Sequence, residues 1–190
     1  MLRKHLSALS AAALLLAACG SETAEPVVEE TAEVSVDWTK STLPELVAYL
    51  EAGEVTSEAL VMAYLQRIEA VDESGPTINS ILSLNPDAIE QARAIDARRA
   101  AGENVGLLQG VPVLLKDNID TADRIPTTAG SLALVENYAS EDAPLAAALR
   151  EHGAVILGKT NLSEWANFRS NGSLAGWSGV GGHTLNPHVL

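Results

Sequence analysis

Gly110-Val111-Pro112-Val113-Leu114-Leu115-Lys116-Asp117-Asn118-Ile119-Asp120-Thr121 sets an unbroken apolar run directly before a lysine and two acids. The run has the length of a buried strand, and Pro112 stands near its start, where a missing ladder N–H is tolerated. Lys116 therefore sits at the mouth of an apolar strand. Lysines seldom follow buried strands unless they are paired or have chemistry to do, although a snorkelling or salt-bridged lysine would leave the same pattern.

Helical patterns surround this strand. On the N-terminal side, Thr42-Leu43-Pro44-Glu45 has capping-box spacing, and Leu46, Val47 and Leu50 give a short helix an apolar face as far as Gly53. A second helix starts at Thr56 and repeats Leu60, Tyr64, Ile68 and Val71 before Gly75-Pro76. Ile78 to Leu84 reads as a short buried strand. Asn85-Pro86 then reads as an N-cap with an N1 proline, opening a helix that buries Ala88, Ile89, Ala92 and Ile95 and stops at Gly102. On the C-terminal side, Asp142 and Pro144 open a helix ending at Gly153, with His152 at its C-terminus for dipole reasons, and Ala154 to Leu157 forms a third strand. Helices alternating with apolar strands predict an α/β layered fold. The composition agrees: 47% hydrophobic, 19% charged and only 4% aromatic, which suits helices packed closely on a sheet.

Several motifs invite other chemistries. Gly153-Ala154-Val155-Ile156-Leu157-Gly158-Lys159-Thr160 satisfies the P-loop expression, but its four middle residues form an apolar strand and cannot curl around phosphate. Asn161-Leu162-Ser163-Glu164 is better taken as an N-cap with Glu at N3. His152, His183 and His188 lack a G-x-S-x-G partner, since Gly176-Trp177-Ser178-Gly179 brings its second glycine one place early. No His or acid spacing suggests a metal, and no cofactor is expected. From Ser170 to Gly182 the chain is rich in Gly and Ser without a period, the texture of a functional loop. A net charge of −13 gives no footprint for a nucleic-acid backbone, so no nucleic acid partner is expected.

The front end has a different purpose. Arg3 and Lys4 precede an apolar stretch from Ala8 to Ala18 that is too short for a bilayer, which needs about 20 residues, but fits a signal h-region. Leu16-Ala17-Ala18-Cys19 resembles the lipobox of bacterial lipoproteins, and Cys19 is the sole cysteine. Residues 1–18 are thus expected to be a lipoprotein signal peptide, with Cys19 lipidated as a membrane anchor. Gly20 after it favours an outer membrane facing the periplasm, where the organism has one. Residues 19–36 carry five glutamates and no basic residue, and are expected to form an acidic tether before a domain over 37–190.

Beyond this point a resemblance carries the reading. The Gly110–Thr121 stretch, then Thr127-Thr128-Ala129-Gly130-Ser131, Asp142-Ala143-Pro144 and Gly158-Lys159-Thr160-Asn161-Leu162-Ser163-Glu164-Trp165, resemble in order the motifs of the amidase signature family. The resemblance runs from roughly residue 40 onward. It implies an α/β/α fold with a mixed central sheet and a Ser–cis-Ser–Lys triad that hydrolyses a small-molecule amide or peptide amide. Lys116 matches the family's catalytic lysine, and Thr128, Ala129, Gly130 and Ser131 are expected to line the substrate pocket. Both serines are expected in Gly/Ser-rich motifs after Asn186-Pro187 and past Leu190, so this chain would be an incomplete N-terminal part, inactive alone. Ser173 and Ser178 precede those motifs and receive no catalytic role. A lysine base must shed its proton, and free lysine ionises near pH 10.4, so the amine is expected in a water-poor setting. The alternative to an enzyme is a non-catalytic surface lipoprotein that keeps the fold as a binding module.

Overall fold

The computed structural model describes residues 37–168, 172 and 175–189. The expected signal peptide, Cys19 and the expected acidic tether to residue 36 lie outside the described residues, as does Ser173. Helix α1 is Leu43–Ala52, α2 Ser57–Ile68, α3 Ala88–Ala100 and α4 Pro144–Glu151; strands are β1 Ile81–Leu84, β2 Pro112–Lys116, β3 Val155–Thr160, β4 Trp177–Ser178 and β5 Gly182–His183.

The helix boundaries follow the capping chemistry. Glu45 reaches back to accept from the Thr42 backbone N–H at 2.7 Å, and Gly53 closes α1 in the left-handed region at φ 71°. The Thr56 hydroxyl accepts from Ala59 N–H at 3.1 Å and starts α2. One turn of π-helix, Glu69–Glu73, continues α2 as far as the predicted Val71. The buried Asp72 carboxylate there accepts from the backbone N–H groups of Ser80 and Ile81 and so sets where β1 begins. Asn85 does not cap α3; the cap falls at Asp87. Asn85 is instead buried, donating to the Ile156 carbonyl at 2.7 Å, which fastens the start of α3 to β3. The Asn85 side-chain oxygen meanwhile accepts from the Asp87 N–H at 3.0 Å, so the local turn bond and the tertiary bond are made together.

Strand β3 is central in the order β1-β3-β2, antiparallel to β1 and parallel to β2. The fold is therefore α/β with a mixed sheet. Val155 and Leu157 face α2 and α3 through Val61, Ile68, Ala88 and Ala92, whereas Ile156 faces α4 through Leu115 and Ala146. Helices thus cover both faces, and each fully buried aliphatic side chain contributes about 1.5–3 kcal/mol. Strand β3 extends past the predicted Leu157 through Gly158, Lys159 and Thr160, so the P-loop expression describes extended backbone. Gly158 is required there: a Cβ at this position would lie 2.3 Å from the Ser83 carbonyl oxygen of β1.

Two short segments depart from expectation. The segment after Ser163 is a 3-10 turn, Glu164–Asn167, with Trp165 and Ala166 in the left-handed region, and not a capped α-helix. Within the Gly/Ser-rich stretch, β4 and β5 pair as a two-stranded ladder.

Candidate active site

The chain leaves the sheet at Lys116, the last residue of β2, whose register partner is Thr160 on β3. Lys116 is exposed among the described residues, so the expected water-poor setting is not found there. The reason is positional. Lys116 is in the last register pair of β2 and β3, at the end of the strand, while Leu115, one residue earlier, is packed against α4.

Asp117 does the opposite and turns inward, to 1% exposure. Its backbone N–H donates to the Thr160 carbonyl at 3.1 Å, prolonging the β2–β3 ladder by one bond. The carboxylate accepts from the Thr128 N–H at 3.2 Å, the Thr128 hydroxyl and the Gly130 N–H at 3.3 Å. The Asp117 carbonyl accepts from Ala129 N–H at 2.9 Å. One residue thus gathers the donors of a returning loop and fixes it to the strand end.

Thr128, Ala129, Gly130 and Ser131, predicted to line the substrate pocket, form a buried tight turn. Ala129 has φ 49°, a conformation that costs a non-glycine residue about 1 kcal/mol or more and persists where surrounding bonds over-determine it. Its neighbours do so: Trp165 N–H donates to the Ala129 carbonyl and Val180 N–H to the Gly130 carbonyl, both at 3.0 Å. Gly130 must lack a side chain, because a Cβ would sit 2.6 Å from that of Ser178. The structure therefore brings the Thr128–Ser131 turn to the residue following Lys116, and brings the Gly/Ser-rich loop to the turn.

Ser178 is fully buried and structural. Its hydroxyl donates to Asn161 Oδ1 at 2.7 Å and accepts from Gly181 N–H at 2.9 Å. The Glu164 carboxylate accepts from Gly179 N–H at 2.9 Å. The three histidines are dispersed: His152 caps α4, His183 is on β5 and His188 follows it.

Sequence reasoning missed the buried lysine of this site. Lys159 on β3 has no solvent exposure, and its ammonium donates to the Ile119 carbonyl at 2.8 Å and the Thr127 hydroxyl at 2.7 Å. Burial pulls its pKa below the ordinary lysine range, opposed by the nearby negative charges of Asp117, Asp123 and Asp120. The available signal is the polar pair Lys159-Thr160 at the end of an otherwise apolar segment. Its likeness to a P-loop conceals it.

Residues 59–190 match the family model described as Amidase. The chain belongs to the amidase family. A protein named "Probable amidase" from Arabidopsis thaliana is 43% identical over 153 residues, covering 80% of this chain and 29% of that protein. A Glutamyl-tRNA(Gln) amidotransferase component from Thermobifida fusca is 48% identical over 128 residues, covering 67% of this chain and 25% of that protein. Among solved structures, native peptide amidase from Stenotrophomonas maltophilia superposes with a TM-score of 0.76 at 50% identity, covering 80% of this chain and 31% of that one. This amidase-family chain thus spans less than a third of the length of these relatives.

Proposed function

We propose that the complete protein is an exported, lipid-anchored amidase that hydrolyses a carboxamide, with a peptide amide as the favoured substrate class and Lys116 as the ultimate base. The observation that carries this reading is the Lys116-Asp117 junction, where the lysine matched to the family's catalytic position borders a carboxylate that orders the Thr128–Ser131 turn. In the proposed reaction, neutral Lys116 takes a proton from a bridging serine, which takes one from the nucleophilic serine. The serine oxygen attacks the amide carbon, the proton passes to the departing nitrogen, and ammonia or amine leaves. Water then hydrolyses the acyl-enzyme to the carboxylic acid. Backbone N–H groups of a Gly-rich segment would hold the oxyanion. We place both serines, and that segment, outside the 190 residues, within the part of the relatives' length that the match leaves uncovered. The same part, or the substrate itself, would supply the water-poor setting that Lys116 needs.

The peptide-amide choice rests on the half-identical solved relative. The similarity to an amidotransferase component raises the alternative of work on charged tRNA, but the lipobox-like segment ending at Cys19 directs the chain away from the cytoplasm, where that work is done.

The test is ammonia release from peptide amides by the full reading frame. Lys116→Ala should lower kcat about a thousandfold, within the span of general-base effects. Unchanged turnover in that variant would end the mechanism. The anchor is tested separately by labelling cells with radioactive palmitate: Cys19→Ala should lose the label, and retention of it would refute lipidation at this residue.

A further inference from the structure

We propose that Lys159 is a positioning residue for this reaction: its buried amine ties the beginning of the loop after Lys116 to its end. In this way it holds Lys116 and the Thr128–Ser131 turn in fixed relation. The inference rests on the amidase reading with Lys116 as base.

Four observations lead here. Lys159 pairs in register with Leu115, the residue before Lys116, so it braces the end of β2 from the neighbouring strand. Its two acceptors, Ile119 and Thr127, stand three residues after Lys116 and one before Thr128, so a single amine closes the loop between the base and the turn. Thr127 is held from the other side as well, since its N–H donates to the Asn137 carbonyl at 2.9 Å and its carbonyl accepts from the Asn137 amide at 2.8 Å. Loop closure by Lys159 from β3 and the contacts of Asp117, just past the end of β2, to Thr128 and Gly130 bear on the same loop.

The choice of lysine is informative. A buried cation is a poor source of stability, and replacing such groups by apolar residues of similar volume is often neutral or favourable. Its directional bonds, on the other hand, fix a loop at a geometry that packing alone would leave adjustable. Displacement of a reacting group by about 1 Å can cost about 100-fold in rate, so small relaxation of this loop would be read in turnover.

The experiment uses the full-length enzyme and peptide amides, with kcat expressed per folded molecule counted by near-ultraviolet circular dichroism. Lys159→Met keeps the length and removes the charge and donors; kcat should fall about tenfold or more while KM stays within about twofold. A purely structural lysine would lower the folded fraction and leave kcat per folded molecule intact, which would overturn the proposal. So would a loss carried by KM. Should Lys159→Met fail to fold, Thr127→Val decides, because it removes one acceptor at constant size; kcat should fall about threefold, and no fall overturns the proposal. Lys116→Ala separates the two inferences. Inactive Lys116→Ala beside normal Lys159→Met and Thr127→Val sinks only the positioning role, whereas active Lys116→Ala sinks the amidase mechanism itself.

Discussion

Two neighbouring strands end in closely similar letters, Val113-Leu114-Leu115-Lys116 on β2 and Ile156-Leu157-Gly158-Lys159 on β3, and the two lysines meet opposite fates. Lys116 is the terminal residue of its strand and is exposed; Lys159 is followed by one more strand residue and has no exposure. The difference arises across the sheet rather than along it. The β2–β3 register shifts between Val113 and Leu114, which sets Lys159 beside Leu115, on the strand end where the Asp117–Thr127 loop folds back with two acceptors. A lysine after an apolar run is thus committed to solvent or to the interior by its partner strand.

The strongest way to break this arrangement is to disturb the register that creates it. Gly158 lies against the β1 backbone, with room for no Cβ beside the Ser83 carbonyl. Gly158→Ala should force β1 away from β3 and cost about 3 kcal/mol, at the upper end of overpacking effects, measured by denaturant melts. A loss under about 0.5 kcal/mol would show that β1 yields freely, and that the register does not depend on this contact.

Next in size is the carboxylate between the two lysines. Asp117→Asn keeps the shape but presents an amide to N–H donors that need an acceptor. About 2 kcal/mol should be lost, the range for leaving buried donors unpaired. Hydrogen exchange at the Thr128 and Gly130 amides should accelerate with it. Unchanged protection would mean that the turn is held by Trp165 and Val180 instead.

How much of this is readable from sequence divides along the same line. Elements fixed by local chemistry are legible: the Thr42–Glu45 capping box, the Gly53 stop and the Thr56 cap all fall where the sequence puts them. Features fixed by a distant partner are not. Asn85 makes the local bond to Asp87 N–H that its place before the helix suggests, but its second bond, to the Ile156 carbonyl, is invisible in sequence, and the turn at Trp165 and Ala166 overrides a plausible N-cap because Trp165 N–H is taken by Ala129. The β4–β5 pair is unreadable because two-residue strands carry no period. At the site, Lys116 is picked out only through resemblance, Asp117 receives no role in the sequence reading, and the burial of Lys159 follows from contacts with Ile119 and Thr127 that lie far from it along the chain.

A gentler probe uses pH. Burial holds the Lys159 amine below its ordinary range, so as pH rises the native chain releases this proton before the unfolded chain does. Through the window from that lowered value up to the ordinary lysine ionisation near 10.4, the unfolded state binds more protons, and stability contributed by this group therefore rises with pH. Lys159→Met should erase that rise. An identical alkaline stability profile in the variant would show that the amine ionises as it does in solvent, against its complete burial.

The smallest effect is the most discriminating for Lys116. An exposed lysine at a strand end contributes little, so Lys116→Met in the 190-residue chain should shift stability by no more than about 0.5 kcal/mol. In the full-length enzyme the same substitution has a different expected sign. If the proposed base is held in a water-poor setting by the remaining length or by substrate, removing its charge relieves a desolvation cost, and the melt should move upward while turnover disappears. Equal, near-zero shifts in both forms would mean that nothing covers this amine in the complete protein. The base would then have no physical reason to be neutral, and the contrast between the two lysines would leave Lys159 as the one buried amine of the pair.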